Sequence, residues 1–451
     1  MASQDANILA RLNSSDSDRV SVFVSDVVIE NSTGERSENN IVVAVNLVSP
    51  RTSGDEVSPE ETSVSDESDI SIAQIANVLS PILSGTSMVH LMQSVALPSR
   101  VVVSALRTPF RIAMRGKRRP TWSTEMEIVV SAFRSACRNA PRDLSLLRAW
   151  TDISIPALLL PKGAIRHSTR LHGMKVEWVF PHTLTPWHGY SSARRIRSSL
   201  FSNEQVIEWS RTHPIVLYIH GGAFCLCGSN THRNIVCSFA MQDLVLFVPN
   251  YRRPPDVSIM HAVDDCYASY KHLVEVLKIP PARIAIMGDS AGGALAILTM
   301  CKIRDLKAVG LPACSVVISP WCDLGDAEIA AEAAKGTIMP EHDYLPFDAI
   351  VMISKLVVGE MSVSDPRINP MHANLAGLPK LLIHVGQVEL LFNQIVAFYD
   401  KCRDDSVDVR MTIWTDMVHV PHTFTHVSEI ARLAVEEAAK FIKLNIGVVG
   451  S

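Results

Sequence analysis

From about residue 160 onward the 451-residue chain alternates short apolar runs with longer segments of helical period. The runs Ile215–Ile219, Val245–Val248, Ile284–Met287, Val316–Ile318, Leu381–Val385 and Val409–Trp414 are apolar at nearly every position, the pattern of strands buried on both faces. Between them, Ala262–Leu277, Ala291–Arg304, Phe392–Cys402 and Val427–Leu444 carry apolar residues at helical spacing. Strands alternating with helices predict an α/β fold, a mostly parallel central sheet with helices on both faces. Ligands of such sheets bind beyond the carboxyl ends of the strands. An apolar insert at about 327–363, with Tyr344, Leu345, Phe347, Ile350, Met352 and Ile353, interrupts the alternation and reads as core or as a cap.

The first 85 residues differ in kind. Ser, Asp, Glu and Asn dominate, with a single Phe, so disorder is expected there; the valine runs Val20–Val28 and Val42–Val48 offer a small β unit as the alternative. Residues 86–159 read as N-terminal helices. Within 97–118, Arg100, Arg107, Arg111, Arg115 and Arg118 share one arc of a helical wheel, and Val102, Val103, Leu106, Phe110 and Ala113 lie opposite. Such a helix, kinked at Pro109, either lies on an anionic membrane surface or packs its apolar face on the body with its arginines in water. Thr124 and Glu127 have capping-box spacing and predict a second helix. Residues 160–451 then form one α/β domain.

Composition narrows the partners. With 47% apolar and 20% charged residues and a net charge of −4, the chain as a whole does not suit nucleic acid. Nine scattered cysteines, without CxxC or Cys/His spacing for a metal, point to a reducing, cytoplasmic compartment. The N-terminus lacks a secretory pattern, and no window is apolar for long enough to span a bilayer.

Chemistry concentrates at the strand ends. Gly288-Asp289-Ser290-Ala291-Gly292-Gly293 follows one strand and opens a helix, the setting of a serine nucleophile on a strained turn. GxSxG alone is weak; its placement gives it weight. About 70 positions earlier, His220-Gly221-Gly222-Ala223-Phe224 ends another strand. Adjacent glycines let backbone N–H groups approach a developing oxyanion, so Gly221 and Gly222, with Ala291 beside the serine, are the expected donors. A serine hydroxyl needs a base, and the base an orienting acid. Glu389 follows the strand Leu381–Val385, and His419 follows Val409–Trp414, in the order nucleophile, acid, base. His422 and His426 compete for the base, and Asp416 for the acid.

Taken together, these residues resemble the hormone-sensitive-lipase-like family of α/β-hydrolases. The resemblance spans about 160–445 and includes Thr231-His232-Arg233, Asn250-Tyr251-Arg252, Ala262-Val263-Asp264-Asp265, Asp365-Pro366-Arg367-Ile368-Asn369-Pro370 and Met417-Val418-His419. It departs from the family at Ala223, where a third glycine is common. It departs again at Glu389-Leu390-Leu391, where many members have Asp-Pro-Leu, and at Arg253-Pro254-Pro255-Asp256. The resemblance implies a serine ester hydrolase, without metal or cofactor, acting on a small-molecule ester beneath a helical cap. The family's range keeps open a membrane-associated acylglycerol lipase, a small-molecule deacetylase, and a non-catalytic hormone-receptor-like binding protein. Retention of His419 speaks against the last. Asp264 and Asp265 are expected to hold a loop by hydrogen bonds.

Overall fold

A computed structural model describes residues 99–140, 143–151, 164–184, 202–325 and 342–446, together with four short strands between Ser21 and Val48. Apart from those strands, the expectation of disorder for 1–85 lies outside the described residues, as does the insert before residue 342.

The four strands are β1 (Ser21–Val22), β2 (Ser25–Asp26), β3 (Val42–Val45) and β4 (Leu47–Val48). A hairpin follows, β5 (Ala164–Leu171) and β6 (Met174–Pro181), turning at His172-Gly173 with both residues at positive φ. All six apolar runs are strands: β7 (Ile215–Ile219), β8 (Val245–Pro249), β9 (Ile284–Asp289), β10 (Cys314–Ile318), β11 (Lys380–Gly386) and β12 (Val409–Trp414). The main sheet has the order β2-β3-β12-β11-β10-β9-β7-β8-β6-β5. From β8 through β12 to β3 every pairing is parallel, whereas β5, β6 and β2 join antiparallel at the edges. The chain leaves β7 for β8 on one side and then crosses to β9 on the other. That reversal opens a crevice at the carboxyl ends of β7 and β9, where the two glycine motifs sit.

In the β5–β6 hairpin the apolar residues Val176, Trp178, Val179 and Phe180 are interrupted by charged ones, which are matched inside the fold. Arg166 and Arg233 both reach the buried carboxylate of Glu177, at 3.4 and 3.2 Å, so no charge is buried alone.

Helices cover both faces. On one side α4 (Asn203–Thr212), α6 (Ile259–Lys271), α7 (Ala291–Leu306), α8 (Phe347–Val358) and α9 (Phe392–Asp404) share the larger core; on the other, α5 (Arg233–Ala240) and α10 (Glu429–Asn445) pack around Val435, Ala438 and Ile442. All nine cysteines are free thiols, seven of them buried.

Ahead of the sheet lie α1 (Ser99–Arg115), α2 (Thr124–Arg138) and α3 (Leu144–Thr151). Two expectations are corrected here. The cap of α2 is Ser123, whose hydroxyl accepts the Met126 N–H at 3.0 Å, and Glu127 takes no part in it. Glu127 is instead wholly buried, paired with the Arg111 guanidinium and accepting the Arg118 main-chain N–H at 3.2 Å. A buried carboxylate needs cationic partners, and this one draws Arg111 of α1 inward. The packing alternative therefore fails for the apolar face, which turns outward, while Arg107 and Arg115 do remain exposed and Ala105 and Thr108 are the buried positions. Val103, Leu106, Phe110 and Met114 are 40, 47, 60 and 69% exposed. Among the described residues no helix is long and apolar enough to cross a membrane.

Candidate active site

Ser290 stands between β9 and α7 with φ 53° and ψ −123°, a conformation that L-residues rarely adopt. Main-chain bonds hold it there. Its N–H donates to the Ile318 carbonyl at 2.8 Å, and its own carbonyl accepts from Trp321 at 2.9 Å. Glycine is required on both sides, because a Cβ on Gly288 would overlap the Gly292 carbonyl, and one on Gly292 would overlap the carbonyls of Ile219 and His220. This is the strained strand-to-helix turn that the sequence pattern anticipates.

The loop after β7 is anchored by its neighbours. Tyr251 stacks on His220 at 4.3 Å, and its hydroxyl donates to the His220 carbonyl at 2.8 Å. Burial, with His232 nearby, depresses the His220 pKa to about 3, so its imidazole is neutral. Gly221 corrects the expected oxyanion set. Its N–H donates to Asp289 Oδ1 at 3.1 Å and is thereby engaged. Among the described residues no protein acceptor takes the amides of Gly222, Ala223 or Ala291. Gly222 and Ala223 have φ 114° and 52°, so the main chain turns sharply there. Ala223 is a further amide without a protein acceptor that the motif alone did not single out; its only signal is its place directly after the glycine pair.

Asp289 organises this side of the site. Besides Gly221 it accepts the Tyr218 hydroxyl at 2.7 Å and faces His232 Nε2 at 3.1 Å. Burial opposes the charge of both groups, yet their pairing prevails: the Asp289 carboxyl is held low and the His232 pKa is raised. The two shifts agree on a buried ion pair.

Glu389 and His419 meet as expected. Glu389 Oε1 lies 3.2 Å from His419 Nδ1. Its Oε2 accepts Ser319 Oγ at 2.6 Å and the Gly386 N–H at 2.7 Å. Ser319 in turn accepts the Val420 N–H at 3.0 Å, tying the acid to the histidine loop. Burial acts to lower the His419 pKa, but the Glu389 hydrogen bond and the charges of Glu389, Asp343 and Asp289 outweigh it, and the pKa is raised. No hydrogen bond joins His419 to the Ser290 hydroxyl among the described residues, a common looseness before substrate binds.

Asp343 was missed in the sequence, where nothing sets it apart from the neighbouring acids Glu341 and Asp348 of the insert. It is buried, and its carboxylate accepts the N–H groups of Tyr344 and Leu390 at 2.8 Å and of His419 at 3.2 Å. It thereby pins the insert to both the acid loop and the base loop. Burial, only partly offset by His419, pushes its pKa up to about 6. The Tyr344 ring stands edge-on to His419 at 6.1 Å.

The competitors serve elsewhere. Asp416 accepts the Thr121 hydroxyl at 2.9 Å and pairs with Arg119 at 3.4 Å, holding the segment between α1 and α2. His422 is wholly buried, stacked on Phe239 and bonded to His384 at 3.1 Å, with its pKa driven far down by burial. His426 lies on the exposed surface of the following turn. Asp265 takes three donors from Arg252 and holds that loop as expected, whereas Asp264 pairs with Lys302 and links α6 to α7 instead. Among the described residues no cluster of His, Cys, Asp or Glu is arranged to hold a metal ion.

Residues 216–423 match a family described as having the alpha/beta hydrolase fold. The chain is 35% identical over 240 residues to an acetyl-hydrolase of Streptomyces hygroscopicus, covering 51% of this chain and 76% of that protein. It is 31% identical over 234 residues to the esterase LipU of Mycobacterium tuberculosis, covering 51% of this chain and 75% of that one. A crystal structure of a hormone-sensitive lipase from a metagenome library superimposes with a TM-score of 0.57 at 26% identity, over 71% of this chain and 97% of that one. Site geometry, sequence identity and fold converge: the chain belongs to the hormone-sensitive-lipase-like branch of the α/β-hydrolases and is a hydrolase of the esterase and lipase class.

Proposed function

We propose that the enzyme hydrolyses carboxylic esters of short-to-medium acyl length through an acyl-enzyme on Ser290. Ser290 Oγ attacks the ester carbonyl carbon while its proton passes to His419 Nε2. The resulting oxyanion is held by the amides of Gly222, Ala223 and Ala291, which have no protein acceptor. As the tetrahedral species collapses, the carbon–oxygen bond to the alcohol breaks and the alcohol leaves with the proton from His419. Water then attacks the acyl carbon and gives a proton to His419. The acid departs and Ser290 recovers its hydrogen. Glu389 holds Nδ1–H throughout and balances the imidazolium.

The observation that carries this reading is the 3.2 Å contact between Glu389 and His419, beside a serine held at positive φ. The short-acyl preference rests on the name of the Streptomyces relative, an acetyl-hydrolase. The cap consists of α1–α3 with the insert around α8, and Tyr344 and Phe133, in edge contact at 5.6 Å, join its two parts. A panel of p-nitrophenyl esters from acetyl to dodecanoyl tests the proposal, with Ser290→Ala beside the wild type. Activity is expected to peak at the short end and to vanish in the variant, and a fluorophosphonate is expected to label only the wild type. Hydrolysis that survives Ser290→Ala would refute it.

A second reading, contact of 97–118 with a membrane surface, is favoured by the outward apolar residues of α1. Vesicle flotation that is unchanged in Leu106→Ser/Phe110→Ser would remove it. The nine unpaired cysteines support a reducing, cytoplasmic setting.

A further inference from the structure

Beside the apolar stripe of α1 lies a cavity of about 350 Å³, lined chiefly by Arg107, Arg111, Arg118 and the hydroxyl residues Ser104, Thr108 and Ser131. Its size falls within the range of small-ligand sites, roughly 300–1,000 Å³. Three guanidinium groups face it, against the single carboxylate of Glu127, which is already engaged by Arg111 and Arg118. Arg107 makes no ion pair or hydrogen bond among the described residues. Arg111 Nε is buried with no acceptor. A buried cationic N–H without an acceptor is unfavourable, and forked guanidinium donors match the oxygens of a phosphate.

The surroundings point to the source of that phosphate. Val103 both lines the cavity and opens the exposed stripe continued by Leu106, Phe110 and Met114. From 99 to 119 the chain carries seven basic residues and no acid. A soluble anion would need the cavity but not the stripe beside it. A phospholipid needs both, acyl chains against apolar side chains and a headgroup at the level of the flanking arginines.

We propose that the cavity between α1 and α2 binds the headgroup phosphate of an anionic phospholipid, docking the cap on a bilayer with the Val103–Met114 stripe in the acyl boundary. The proposal rests on the membrane reading above and adds a specific lipid site to it. Because α2 carries Phe133, which packs on Tyr344, the docked face adjoins the wall of the ester site.

Flotation of the full chain with phosphatidylcholine vesicles, with and without phosphatidic acid, tests it. The wild type is expected to bind the acidic vesicles at least tenfold more tightly. Arg115→Gln, on the same helix but outside the cavity, should weaken that binding about fivefold, the effect of one surface charge. Arg107→Gln should weaken it about fiftyfold, that fivefold multiplied by roughly tenfold for a lost charge-assisted bond. Hydrolysis of soluble p-nitrophenyl butyrate should be unchanged in both variants. Equal losses in the two variants would mean diffuse charge attraction and overturn the lipid site while leaving membrane contact standing. Stabilisation by inorganic phosphate that Arg107→Gln abolishes, without any preference for acidic vesicles, would overturn the lipid as ligand. No binding of the wild type to either vesicle would overturn the membrane reading itself.

Discussion

Replacing Glu389 by Gln removes almost no volume, so the outcome depends on the lost charge, which no longer supports the His419 imidazolium, and on the hydrogen bonds that an amide can keep. The carboxylate accepts three donors: His419 Nδ1 at 3.2 Å on one oxygen, and Ser319 Oγ and the Gly386 N–H at 2.6 and 2.7 Å on the other. An amide has one oxygen and one NH2 group. Turned with its oxygen toward Ser319 and Gly386, it keeps two bonds and points the NH2 at Nδ1. Turned the other way, it keeps one bond and sets two donors, its own and the Gly386 N–H, against each other in a buried space, at about 1–3 kcal/mol. The first orientation should win. It favours the His419 tautomer protonated on Nε2, which cannot accept the serine proton. We expect kcat to fall about 10³- to 10⁴-fold, about 4–5 kcal/mol of barrier, with KM changed little. Steady-state hydrolysis of p-nitrophenyl butyrate reads the rate, and calorimetry checks that melting is nearly unaltered. A variant within tenfold of wild-type kcat would show that the acid lies elsewhere.

Three further outcomes are expected. Asp289→Asn removes the charge that keeps His232 protonated, so burial should bring the His232 pKa below its ordinary range and loosen the Gly221 anchor; kcat should fall at least about tenfold, and NMR titration of His232 reports the cause. An unmoved His232 resonance would contradict the ion pair. Asp343→Asn removes a negative charge that helps to raise the His419 pKa, alongside Glu389 and Asp289. Since catalysis needs neutral His419, the acid limb of kcat/KM should move to lower pH; a merely structural role would leave its position unchanged. Gly221→Ala places a Cβ against the Asp289 carboxylate, and expression with loss of both activity and fluorophosphonate labelling is the expected result.

The parts of this molecule that were legible in sequence share a local cause. The strands β7 to β12 show as apolar runs because they are buried on both faces, and Ser290, Glu389 and His419 follow from their places just past strand ends. What was not legible depends on distant partners. The β5–β6 hairpin escapes the pattern because charged residues break its apolar positions, and these are tolerated only through a distant partner, Arg233 joining Arg166 on Glu177. The spacing of Gly221 and Gly222 promises close amides, but which one faces the substrate depends on Asp289, 68 positions away. Asp343 acquires meaning only from main-chain groups 47 and 76 positions further on. For α1 the helical wheel grouped Arg107, Arg111 and Arg115, but Glu127 on the neighbouring helix draws in Arg111 alone, while Arg107 and Arg115 stay exposed beside the apolar residues.

The unpaired cysteines bear on how this enzyme meets electrophiles. Burial pushes the thiols of Cys225 and Cys301 up to about 11 and those of Cys237 and Cys314 to about 12, leaving negligible thiolate at neutral pH. Only the thiolate attacks alkylating reagents. Iodoacetamide should therefore pass these four side chains by while the protein stays folded, and modify them only once the sheet has come apart. The same chain would then carry two independent chemical clocks, one serine-directed and reading the intact elbow, the other thiol-directed and reading global opening.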